Sequence, residues 1–172
     1  MRNKKFTILA AAIMVFIFAQ SALPSELSSE ESGVIVDLIM RVIEDILPYG
    51  REAIVFAVRK GAHFTEYLIL GAVLVPAVKE WREAGSRLLT AGGAPASWLI
   101  GTVYAVTDEF HQSFVPGRSC EFRDIVIDSG GVLTGVLAVM VAGWIRVRRI
   151  KARQDSVARQ DSAARQDLSA RK

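Results

Sequence analysis

The sequence predicts an all-α fold: a polytopic membrane protein with four transmembrane helices and both termini in the cytoplasm. Two observations predict it. First, 23% of the 172 residues are charged, yet the charges largely avoid four segments, about 6–23, 61–78, 88–107 and 125–145. Each segment holds about the 17–25 residues that an α-helix needs to cross a bilayer core. Second, lysine and arginine cluster in the segments that would lie inside: "MRNKK", "KEWREAGSR" (79–87) and "RVRRIKAR". A bias of this kind sets the orientation of short loops. The net charge of +3 and pI near 9.2 therefore read as membrane orientation, and no nucleic-acid partner is expected. Residues 1–5 form a basic N-terminus, 6–146 the membrane domain and 147–172 a polar tail.

Taken in order, "FTILAAAIMVFIFAQSAL" follows three positive charges, a pattern shared by signal peptides and first transmembrane helices. Its length favours a retained helix. Residues 24–58 carry seven acids and two arginines, which suits the translocated side. Within them, "VIVDLIMRVIEDIL" (34–47) spaces its apolar residues as an amphipathic interfacial helix would. Trp81 and Trp144 fall near the cytoplasmic ends of the second and fourth spans, where indole rings anchor. From 152 onward "ARQDSV", "ARQDSA" and "ARQDLS" repeat every six residues. That period matches neither a heptad nor a solenoid, so the tail reads as polar and solvated, either disordered or partly helical. The single cysteine, Cys120, excludes an internal disulfide framework.

The topology gathers three polar stretches at one outer face: "RKGAHFTEY" (59–67), "TDEFHQSFVPGRSCEFRD" (107–124) and "DIVIDSGG" (124–131). At about 100° per residue, Arg59, His63 and Glu66 fall within roughly 60° of one another. Asp124 and Asp128 share a face that Gly131 and Gly135 continue, while Ser97, Gly101, Tyr104 and Asp108 line up on the third span. Small residues let helices approach closely in lipid, so these faces should meet inside the bundle. A carboxylate as deep as Glu66 costs up to a few kcal/mol on insertion scales, which nearby Arg59, His63, Arg118 or Arg123 would offset. Either a structural ion-pair network or a polar pocket satisfies that pattern.

In this order and at these intervals, "RKGAHFTEY", "TDEFHQSFVPGR" and "RDIVIDSGGVLTG" resemble the VanZ-like family of bacterial membrane proteins. "FAQSALPSELSSEESG" is similar to the family's serine-rich stretch after its first helix. The resemblance covers about residues 6–146. It implies functional weight at Arg59, Lys60, His63, Glu66 and Tyr67. It implies the same for Asp108, Glu109, Gln112, Pro116, Gly117, Arg118, Asp124 and Gly131. Asp128 stands where relatives often carry asparagine, and His111 lies outside the pattern. It further implies a bacterial cytoplasmic membrane location and a role in cell-envelope maintenance or teicoplanin resistance.

Two chemistries fit these residues. Arg59, Lys60, Arg118 and Arg123 suit a phosphate or carboxylate, such as the headgroup of a lipid-linked or cell-wall ligand. "VPGR" suits a type II turn that aims Arg118 back at the bundle. Tyr67, Glu109, Gln112, Asp124 and Asp128 would complete such a binding site. Alternatively, Glu66 or Asp108 beside His63 forms a base–orienter pair, in a hydrolase or transferase acting on a lipid-linked phosphate or cell-wall precursor. No G-x-S-x-G or other nucleophile motif accompanies that pair. His63-x-x-Glu66 with Asp108, Glu109 or Asp124 contains metal-ligand types, but H-x-x-E alone is common, so no metal and no cofactor are expected. Beyond the lipid bilayer, the expected partner is therefore an anionic envelope ligand.

Overall fold

A computed structural model of the chain describes residues 4–23, 37–38, 51–83 and 93–170. They form four helices: α1 (Lys5–Ser21), α2 (Arg51–Glu83), α3 (Gly93–Gln112) and α4 (Phe122–Ala170). No strand occurs among the described residues, so the all-α expectation holds. The amphipathic segment 34–47, apart from helical Asp37 and Leu38, lies outside the described residues, as do Arg87 and the serine-rich stretch from residue 24 onward. Among the described residues two segments are long and apolar enough to cross a bilayer, Ala53–Trp81 in α2 and Phe122–Ser156 in α4. Helix α1 is apolar but has 17 residues, and α3 has 20, including Asp108 and Glu109.

The helices extend beyond the apolar runs, because polar residues can continue a helix when they find partners inside the bundle. Helix α2 begins ten residues before position 61. The described part of helix α3 runs from Gly93 through Asp108 and Glu109 to Gln112. All three of those polar side chains are buried. The first part of the 107–124 stretch is thus the last turn of a helix, and only residues 113–121 form the connection.

The chain divides into two units, residues 1–137 and 138–172. In the first, contacts between named ends fix the helix directions. The Glu80 carboxylate near the end of α2 accepts from the Phe6 N–H at 3.2 Å, the Thr7 N–H at 2.9 Å and the Thr7 hydroxyl at 2.9 Å. Those N–H groups belong to the first turn of α1, which has no partner within its own helix for them, so α1 and α2 run antiparallel. At the opposite end, the Ser21 hydroxyl donates to Asp108 near the end of α3 at 2.8 Å. Midway along, the Tyr104 hydroxyl donates to the Met14 carbonyl at 2.5 Å. Ile17, Tyr67, Leu70, Leu74, Ala105 and Val132 make the buried core.

Helix α4 approaches α2 along its small residues. A Cβ added at Gly131 would stand 2.5 Å from the Phe64 carbonyl oxygen, and one at Gly135 would meet the backbone of Leu68 and Ala72. Backbone cannot yield as a flexible side chain can, so glycine is required for this spacing. Ser97 and Gly101 on α3 are buried as the facing pattern requires, with Gly101 against Val132. Many large apolar side chains point outward, Ile8, Val15, Leu99, Val103 and Leu133 among them. Apolar surface on every helix is what a lipid environment accommodates.

The second unit consists of α4 from residue 138 to Ala170, with the Arg148 guanidinium 3.9 Å from the Trp144 ring centre. The repeat tail is helical through Ala170. Its alanine, arginine and glutamine are strong helix formers, and an existing helix extends without a new nucleation cost.

Candidate functional site

At one end of the first unit the start of α2, the end of α3, the 113–121 connection and the start of α4 enclose a cavity of about 180 Å³. Helix α2 contributes Phe56, Arg59, Lys60 and His63, at the three-, four- and seven-residue spacing of one helix face. Glu109 and Gln112 come from the last turn of α3, Asp124 and Asp128 from the first turns of α4. Gly117, Arg118, Ser119 and Glu121 close it from the connection. Gly117 has φ 74°, the left-handed value that the third position of a type II turn needs, and it brings Arg118 back over the cavity.

Eight of the twelve residues to which the sequence assigns a binding or catalytic role therefore line one space: Arg59, Lys60, His63, Glu109, Gln112, Arg118, Asp124 and Asp128. Glu66, Tyr67 and Asp108 do not line it. Tyr67 and Asp108 lie behind the wall, at 0% and 1% exposure. There a buried network centres on Asp108, whose Oδ2 accepts from Ser21 at 2.8 Å, Tyr67 at 3.1 Å and Gln112 Nε2 at 3.2 Å. Asp108 Oδ1 is buried without a hydrogen-bond partner. Glu66 has no ion pair among the described residues, so the offset expected from Arg59, Arg118 or Arg123 is not a direct contact.

The charges on the wall sort into paired and unpaired groups. Lys60 is ion-paired with Asp124. Arg123 lies outside the cavity, paired with Glu121 at 2.8 Å and with its guanidinium 4.8 Å from the Phe56 ring centre. Glu109 Oε1 accepts from the Glu121 backbone N–H at 2.7 Å. By contrast, Arg59 and Arg118 have no carboxylate within ion-pair distance among the described residues. Arg118 Nη1 donates to Gln112 Oε1 at 3.1 Å and Nη2 to the Gln20 carbonyl at 3.5 Å. Its Nε is buried without a partner. Burial, and after it the charge of Arg59, hold the Arg118 guanidinium below its ordinary pKa. Two cations thus share one cavity, where Arg59 repels Arg118 while Asp108, Glu109 and Glu66 attract it without forming an ion pair with it among the described residues.

Sequence reasoning missed Phe56, Ser119 and Glu121 on the wall, and Gln20 and Ser21 behind it. Phe56 was legible, since it precedes Arg59, Lys60 and His63 at helical spacing. Ser21 read only as part of a serine-rich stretch or cleavage region. Nothing local says that it meets a residue 87 positions away. Among the described residues no group of His, Cys, Asp and Glu is arranged to hold a metal ion.

Two described helices of spanning length and apolar outward faces fit an α-helical membrane protein. The chain belongs to the VanZ/LLP1 family, whose model matches residues 6–143. No curated protein and no solved structure matches it.

Proposed function

We propose that the cavity binds an anionic group, a phosphate or carboxylate, between Arg59 and Arg118. In this reading the protein crosses the bacterial cytoplasmic membrane four times, with both termini inside and the cavity on the extracytoplasmic side. The observation that carries it is the pair of guanidinium groups at one cavity, neither with a carboxylate partner among the described residues. An anion between them replaces repulsion by charge-assisted hydrogen bonds, which arginine can make in pairs.

Size narrows the ligand. About 180 Å³ is below the roughly 300–1,000 Å³ of sites that enclose drug-sized molecules. The cavity thus takes a headgroup, and the rest of a lipid-linked or cell-wall molecule stays outside. Such a site fits a role in cell-envelope maintenance or teicoplanin resistance, the role implied by the resemblance to the VanZ-like family. The test is native mass spectrometry of protein extracted gently from its own membrane, beside Arg59→Ala and Arg118→Ala. A phosphate-bearing lipid or precursor retained by the parent and lost from both variants is the expected result. Equal retention by all three proteins would overturn the assignment.

A further inference from the structure

We infer that Asp108 and Gln112 form a positioning relay that aims Arg118 at the cavity, completed by the last residues of α1. Asp108 is thereby a positioning residue, not a group that touches the ligand. The purpose of the relay rests on the proposed anion site, whereas its geometry does not.

Asp108 is 1% exposed and absent from the cavity wall. A glutamine amide has one donating end and one accepting end. With Gln112 Nε2 donating to Asp108 Oδ2 at 3.2 Å, Oε1 is left to face the connection, where Arg118 Nη1 donates to it at 3.1 Å. Turning the amide over would set a carbonyl against the Asp108 oxygen and an NH₂ against the guanidinium. Both contacts are unfavourable in a buried site. The carboxyl group therefore decides the amide orientation, and the amide decides where Arg118 points. Ser21 and Tyr67 donate to the same Oδ2 and hold Asp108 in place. The Gln20 carbonyl accepts from Arg118 Nη2, so α1 grips both ends of the relay. With these bonds made, Nε is left buried without a hydrogen-bond partner.

Arginine-selective modification by phenylglyoxal reads the relay without any ligand. The purified full-length protein is treated in detergent, and the rates at Arg118 and Arg59 are followed by peptide mass spectrometry. Asp108→Asn and Gln112→Met are each expected to raise the Arg118 rate on the order of ten-fold, about the effect of one hydrogen bond to a charged group. The double variant should show no further increase, because both changes break one chain. The Arg59 rate should not change. An unchanged Arg118 rate, or a parallel rise at Arg59 that reports general loosening, would sink the relay. If Asp108→Asn does not fold, Gln112→Met carries the test, since it leaves Ser21 and Tyr67 on Asp108. Inorganic phosphate added to the same reactions separates the two ideas. Phosphate should protect both arginines in the parent protein. No protection, alongside the expected rate changes, would remove the anion site and leave the relay standing.

Discussion

At the scale of single residues, the structure separates positions that look alike in sequence. Gly61 and Gly131 both lie inside helices, but a Cβ at Gly61 meets nothing within 4 Å whereas one at Gly131 runs into backbone. Gly61→Ala should leave thermal stability in detergent unchanged or raise it by up to about 1 kcal/mol, the helix preference for alanine. Gly131→Leu should abolish the folded melt or lower its midpoint sharply, because α2 and α4 would have to separate. Tyr67 gives a subtler test. Its ring is core and its hydroxyl donates to Asp108, so Tyr67→Phe keeps the packing and removes one of three donors. A loss of about 1 kcal/mol is expected, read as a shift in the same melt. A melt unchanged in Tyr67→Phe would show that the hydroxyl bond is not what the position contributes.

At the scale of elements, α1 is held at both ends by residues distant in sequence. Glu80 accepts from its first turn, and Asp108 and Arg118 engage its last. Phe18 stacks on His111 with ring centres 4.1 Å apart, which gives His111 a packing role. Glu80→Ala should leave the first-turn N–H groups of α1 without that acceptor and lower the melting midpoint, while Glu80→Gln should retain part of the effect. Intact mass measurement of the mature protein should include residues 1–23. A product beginning after Ser21 would lack part of the network around Asp108, and finding it as the functional form would contradict this role for α1. The apolar length of α1 was plain from its sequence. Its ties were not, because both Glu80 and Asp108 lie more than 70 positions away.

At the scale of the whole molecule, orientation can be read with a native probe. Cys120 is the single cysteine, it is exposed, and it follows the cavity residues Arg118 and Ser119. A membrane-impermeant maleimide should label it in intact cells if the cavity faces outward. Labelling only after the membrane is opened would place the site on the cytoplasmic side and reverse the proposed topology. The sequence by itself determined the helical class, the family and most of the cavity wall, because apolar runs, charge bias and helical spacing are local properties of a chain. It also brought Arg59, His63, Arg118 and Asp124 to attention as one cluster. Only the tertiary structure decided which of those groups are paired, and that Asp108 and Tyr67 stand behind the wall while Arg59 and Arg118 face the cavity. The physical reason is that pairing and burial depend on which helices pack, at what spacing and in which direction. The glycine spacing marks the approach at Gly131 but not its partner on α2, and the hydroxyl arriving from Ser21 leaves no mark in the residues beside Asp108.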